Sequence, residues 1–158
     1  MTYYITNGKQ NRYWIMKKVL LAFALVLFSS SLYAATIEIE MLNKNPETKK
    51  RMVYSDELVK IAAGDTVDWL PTAKGHNVEI LVGPDGYELP KKTKLGDKVS
   101  ITFTVPGIYL YQCSPHAAMG MIGLVVVGDD VSNKDAVMKK KLVGSKSKKK
   151  RKSLVESL

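Results

Sequence analysis

Ile108-Tyr-Leu-Tyr-Gln-Cys113-Ser-Pro-His116-Ala-Ala-Met-Gly-Met121-Ile122-Gly-Leu-Val-Val-Val127 is the stretch that decides the fold. Two runs rich in β-branched and aromatic residues, Ile108–Tyr111 and Ile122–Val127, flank a segment broken by Pro115 and Gly120, the pattern of two strands joined by a loop. Working outward, Met52–Tyr54, Leu58–Ala62, Thr66–Leu70, Val78–Val82 and Val99–Thr104 repeat the pattern between turn signals at Ala63-Gly64-Asp65, Pro84-Asp85-Gly86 and Pro106-Gly107. Ile37, Ile39 and Met41 alternate with polar neighbours, as in a strand with one face on a core. Eight short strands over about ninety residues, with no helical period among them, predict an all-β, two-sheet antiparallel Greek-key β-sandwich rather than a parallel sheet with crossover helices.

Both ends differ from this middle. Lys17 and Lys18 precede an unbroken apolar run, Val19 to Phe28, then Ser29, Ser30, Ser31 and Ala34. That is the layout of a cleaved export signal over residues 1–34, with a mature start at Ala35 and a periplasmic destination. Met16 stands directly before Lys17, so residues 1–15 read as a start codon assigned too early.

Residues 35–130 form the predicted domain and 131–158 a C-terminal helical, basic extension. Val131, Met138 and Leu142 would share one helical face. Beyond Gly144 the chain reads either as a helix with a thin apolar stripe at Leu154 and Leu158 or as a disordered tail. The overall charge of +9 hides this division. Residues 35–133 carry ten basic against thirteen acidic side chains, while residues 134–152 carry ten basic against Asp135 alone. A basic tail suits an acidic protein partner or weak contact with an anionic membrane surface, and nucleic acid is not expected of an exported protein.

The whole chain has two histidines and one cysteine. Taken singly, Cys113 reads as a buried inert thiol and His76 as a histidine at a strand end. Taken together they read as a ligand set. Cys113 has no partner for a disulfide, although export would favour one, and a metal would protect it. Cys113, His116 and Met121 flank one loop, and His76, in Gly75-His76-Asn77-Val78, enters from another strand. Two imidazoles, one thiolate and a weak thioether form the ligand set of blue-copper electron-transfer sites, whereas structural zinc would call for a fourth strong ligand. Met119 reads as a packing or surface residue.

The pattern resembles the cupredoxins, the type 1 blue copper family, and among them the pseudoazurins. The resemblance rests on Met41-Leu42-Asn43-Lys44, Ala63-Gly64-Asp65-Thr66-Val67, Lys74-Gly75-His76-Asn77-Val78, Pro106-Gly107 and the loop Cys113-Ser114-Pro115-His116 through Met119-Gly120-Met121. It spans residues 35–129; Glu79 to Lys98 and the run Lys146 to Lys152 depart from it.

The resemblance implies a cupredoxin-like sandwich with one type 1 copper held by His76, Cys113, His116 and Met121, and Asn77 tying the ligand loops together. It also implies an electron path through His116 at an apolar patch matched by Pro115, Ala117, Ala118 and Met119, ringed by Lys44, Lys74, Lys91, Lys92 and Lys94. The expected role is a monomeric one-electron carrier, not an enzyme, working between c-type cytochromes and a nitrite or other nitrogen-oxide reductase. Copper storage or delivery, with Met119 and Met121 as a Cu(I) pair, is the alternative. Removal of the residues after Leu142 is expected to spare the copper site.

Overall fold

The computed structural model describes residues 34–158. The expected export signal, its apolar run and the early start codon lie outside the described residues. Strand β1 (Thr36–Lys44) follows the alternation of its sequence, with Ile39 and Met41 fully buried and Glu38 and Glu40 exposed. The chain continues through β2 (Arg51–Tyr54), β3 (Leu58–Ile61), β4 (Thr66–Leu70), β5 (Glu79–Val82), β6 (Val99–Thr102) and β7 (Gly107–Gln112). A 3-10 helix (Ser114–Met119) then leads to β8 (Ile122–Val127), α1 (Lys134–Lys139) and α2 (Ser145–Glu156).

Two four-stranded sheets result, ordered β2-β1-β4-β6 and β3-β8-β7-β5. The two-sheet sandwich agrees with the sequence reading, but its purely antiparallel pairing needs correction. β1 pairs with β4 in parallel, and β3 pairs with β8 in parallel. The cause is the path of the chain: after the β1–β2 hairpin it crosses to the second sheet as β3 and returns as β4. Three connections separate β1 from β4, and the two run parallel because one of the three, a crossing between the sheets, does not reverse the chain. Neighbours joined by a direct turn or loop, β1–β2 and β7–β8, remain antiparallel.

Strands β7 and β8 explain why the opening stretch is so uniformly apolar. Tyr109, Tyr111, Val125 and Val127 point between the sheets, where they join Trp69, Tyr54 and Phe103. Ile108, Leu110, Ile122, Leu124 and Val126 point the other way and meet Val137, Leu142 and Val155 of the C-terminal segment. A sheet covered on both faces has no polar side to alternate with. The inner core is held by edge-to-face aromatic pairs, Trp69–Tyr111 at 5.2 Å, Tyr54–Tyr111 at 4.8 Å and Phe103–Tyr109 at 4.7 Å. Such pairs add about 0.5–1.5 kcal/mol each beyond area burial.

The outer face is closed by helices. Asn133 docks the first of them by pairing its side-chain amide with the main chain of Ile108, at 2.9 and 2.8 Å. The expected helical face of Val131, Met138 and Leu142 is not the one formed. α1 stops at Lys140, whose ψ of 128° leaves the helical region, so the 3.6-residue period does not continue to Leu142. Val137 takes the buried position and Met138 is 36 % exposed.

Past Gly144 the chain is helical, and Val155 is buried with Leu154 and Leu158 packed against the same cluster. Arg151 is buried too, donating to the carbonyls of Val137 and Lys140 at the C-terminal end of α1, where a positive charge meets the negative pole of the helix.

Candidate metal centre

The loop between β7 and β8 closes on itself before any ligand is considered. The Cys113 amide donates to the Met121 carbonyl at 3.0 Å, His116 N–H to the Cys113 carbonyl at 3.0 Å, and Met121 N–H to the His116 carbonyl at 3.3 Å. Pro115 lies in the first turn of the intervening 3-10 helix and Gly120 ends it at φ 93°, a left-handed turn that a side chain would strain. Cys113 and Met121 are thereby fixed side by side at the end of the inner core, both fully buried.

His76 comes from the loop between β4 and β5, three residues before the strand rather than at its opening, and it too is fully buried. Its Nδ1 lies 3.6 Å from the Cys113 sulfur and 3.2 Å from Nδ1 of His116, which is 3.4 Å from the same sulfur. A point equidistant from these three atoms is about 2.0 Å from each, the length of an ordinary metal–imidazole bond. Three lone-pair donors aimed at one point so close together fit a metal and have no other evident use. His76, Cys113 and His116 form the one group of this kind among the described residues.

The surroundings prepare these donors. Nε2 of His76 faces the Asn43 side-chain oxygen at 2.9 Å. An amide oxygen only accepts, so Nε2 carries the proton and Nδ1 keeps its lone pair for the metal. Burial, and next the neighbouring His116, pushes His76 below the usual histidine range, so it stays neutral further into acid. Burial pushes the Cys113 thiol up, while hydrogen bonds from the main chain of Asn77 and His116 pull the other way. A thiol that is costly to ionise on its own would give up its proton to a bound cation's charge.

Asn77 does tie the two ligand loops together. Its side-chain oxygen accepts the Ser114 amide at 2.9 Å, and its NH2 group donates to Ser114 Oγ at 3.2 Å and to the Thr93 carbonyl at 3.1 Å. Its own carbonyl accepts the Tyr54 hydroxyl at 2.9 Å. Glu79 extends the network, accepting from Ser114 Oγ and Gln112 Nε2 at 2.8 Å each.

The expected apolar patch is only partly present. Pro115 and Ala118 are exposed and Met119 is 46 % exposed, but Ala117 is buried, with its carbonyl accepting the Ser147 hydroxyl. Ala117 is therefore removed from the patch: the C-terminal helix covers it. Lys44, Lys74, Lys91, Lys92 and Lys94 are all exposed. Sequence reasoning missed Asn43, Glu79 and Ser147 as parts of the site. Asn43 precedes its histidine by 33 residues and Ser147 follows its alanine by 30, so no local spacing could announce either.

Comparison with known proteins agrees with this chemistry. The copper binding proteins of the plastocyanin/azurin family match residues 39–128. A putative pseudoazurin of Rhizobium leguminosarum bv. viciae is 41 % identical over 116 residues, covering 72 % of this chain and 74 % of that one. A pseudoazurin of Paracoccus pantotrophus is 40 % identical over 123 residues, covering 77 % and 83 %. Among solved structures, a pseudoazurin from Sinorhizobium meliltoi superposes with a TM-score of 0.72 at 35 % identity, over 78 % of this chain and 95 % of that one. The pseudoazurin of Methylobacterium extorquens AM1 does so with a TM-score of 0.70 at 35 % identity, over 77 % and 98 %. With the sandwich, the His-Cys-His triangle and these relatives in agreement, the chain belongs to the cupredoxins, the plastocyanin/azurin family of copper binding proteins, alongside the pseudoazurins, and its cofactor is copper.

Proposed function

We propose that this protein is a diffusible one-electron carrier, with copper held by His76, Cys113, His116 and Met121. One observation carries the reading: the donors form a preset triangle with sides of 3.2, 3.4 and 3.6 Å in a buried pocket. Bound there, copper supplies a Cu(II)/Cu(I) couple that soft sulfur ligands keep accessible. The protein's task is to hold the ligands still. Asn43 fixes the orientation of His76, Asn77 and Ser114 lock the two ligand loops to each other, and the fully buried sulfurs exclude water. His116 alone of the four is partly exposed, so its ring edge is the path for the electron.

Pro115, Ala118 and Met119, its neighbours on the 3-10 helix, are exposed and offer a small apolar contact beside that edge, and the exposed Lys44, Lys74, Lys91, Lys92 and Lys94 are the candidates for a ring of lysines around it. A small face of this kind suits partners that dock and leave quickly, and positive charge selects acidic ones. We assign the partners to redox proteins, with c-type cytochromes as donors and a nitrite or other nitrogen-oxide reductase as acceptor. The working form is a monomer in the periplasm, exported by residues 1–34 and beginning at Ala35. N-terminal sequencing of the exported protein checks the last point, and a start far from Ala35 refutes it.

The test of the main reading is an optical and electrochemical one. Copper-loaded protein should show a strong thiolate-to-copper band toward the red end of the visible spectrum, and a reversible one-electron wave. A colourless protein, or one that releases its copper to a chelator on reduction, refutes the carrier reading.

A further inference from the structure

The 3-10 helix that carries His116 is gripped from outside by α2. The carbonyl of Ala117 accepts two hydrogen bonds, from Gly120 N–H at 2.9 Å and from the hydroxyl of Ser147, a fully buried serine. Gly144, at φ 83°, lies so close to the loop that a Cβ there would come within 2.6 Å of the Ala118 carbonyl oxygen and 2.8 Å of its Cα. Gly120 lies against the side chain of Lys146. Further along the helix, Lys150 pairs with Glu57, whose carbonyl accepts Leu124 N–H at 2.8 Å, and Arg151 bonds the end of α1. α2 is thus anchored to the sandwich at one end and pressed on the ligand loop at the other.

Its sequence gives no ordinary reason for this. Residues 145–152 read Ser-Lys-Ser-Lys-Lys-Lys-Arg-Lys, with no apolar stripe, and like charges three and four apart disfavour the helix. The only residues buried in this half of the helix are Ser147 and Arg151, each spent on a carbonyl of another element. A buried hydroxyl on the main chain next to His116 is a directed contact, because leaving that group without a partner would be costly.

We propose that α2 is a brace for the copper loop and that Ser147 is a positioning residue for His116. By occupying the second lone pair of the Ala117 carbonyl, Ser147 fixes the end of the 3-10 helix and so the direction in which the His116 ring is presented. The proposal rests on the carrier reading for its purpose, namely keeping the ligand geometry the same in both oxidation states, but the brace itself is measurable without copper.

The experiment compares the full chain with Ser147→Ala, the conservative Ser147→Thr, and Ser153→Ala on the exposed side of the same helix. Amide hydrogen exchange is followed first in copper-free protein. The Gly120 and Met121 amides, bonded within the loop, should exchange roughly tenfold faster in Ser147→Ala, as expected for losing one buried hydrogen bond from a local opening equilibrium. In copper-loaded protein the same variant should shift the visible band and the reduction potential. Ser147→Thr should restore both readouts and Ser153→Ala should move neither.

Unchanged exchange and potential in Ser147→Ala overturn the proposal. So does an equal acceleration of the β7 and β8 amides, which would make the serine a general stabiliser. Loop-confined exchange in a protein with no reversible copper couple upholds the brace and refutes the carrier reading instead. Gly144→Ala, which forces a side chain into Ala118, gives an independent check: it should perturb the same two amides, and silence there counts against the brace.

Discussion

Cys113 is the residue whose loss should be most complete in its effect and most local. Only its thiolate can supply the charge-transfer band, so Cys113→Ser should bind copper weakly and without colour, while far-ultraviolet circular dichroism stays that of the sandwich. Met121→Gln should instead keep copper and change the reduction potential, because Met121 as proposed would be the weak ligand that tunes the couple rather than holding the ion. An unchanged potential would remove Met121 from the ligand set.

Asn43 supports the site from a distance. Asn43→Ala leaves Nε2–H of His76 without its fixed acceptor and should weaken copper binding by about 10- to 100-fold in a competition titration, the usual effect of losing a partner that orients a ligand. The four proposed ligands were legible in the residue types and the Cys-x2-His-x4-Met spacing. Asn43 was not: it sits at the end of β1, and only the parallel pairing of β1 with β4 brings that end to the loop bearing His76.

At the scale of elements, the C-terminal helix departs furthest from expectation. As a string of lysines it reads as a separable tail, yet its last turns cover an apolar face of β7 and β8 that would otherwise face water. Removing the residues after Leu142 exposes the area under Leu154, Val155 and Leu158 and frees the carbonyls bonded by Arg151. Burying one such aliphatic side chain contributes about 1.5–3 kcal/mol, so the truncated protein should melt roughly 10–20 °C lower. Calorimetry of the copper-free protein checks this. The truncation should also disturb the copper band, contrary to the separable-tail expectation, because Gly144 and Ser147 leave with the helix. The apolar runs revealed where β7 and β8 lie but not what covers their outer face, since an unbroken run only states that both sides are dry.

For the whole molecule the distribution of charge matters more than its sum. The mildly acidic sandwich carries a basic cap in which Lys146, Lys148, Lys149 and Lys152 are exposed, on a helix that touches the ligand loop. Association with an acidic redox partner should therefore slow by about tenfold or more when ionic strength rises from 0.01 to 0.15 M, as the Debye length falls from about 30 to about 8 Å. Stopped-flow electron transfer measures it. Replacing the four lysines by glutamine should flatten that dependence and leave the visible spectrum unchanged, and a salt-independent rate in the native protein would refute electrostatic steering by this cap.

By itself the sequence determined the chemistry and the class of fold. A cysteine, a histidine and a methionine at Cys-x2-His-x4-Met spacing, with the second histidine elsewhere in the chain, point to a soft metal site, and period-2 strands between turn residues specify a sandwich, because the loop signal is local and the strand signal repeats along the chain. Tertiary structure alone decided the parallel pairings, the hydrogen bond from His76 to Asn43 and the grip of Ser147 on the copper loop. Each joins residues 30 or more positions apart through the crossing of the chain between sheets or the docking of a helix. Contacts of that kind leave no periodic trace, since they depend on where the backbone returns and not on which side chains are neighbours in the sequence.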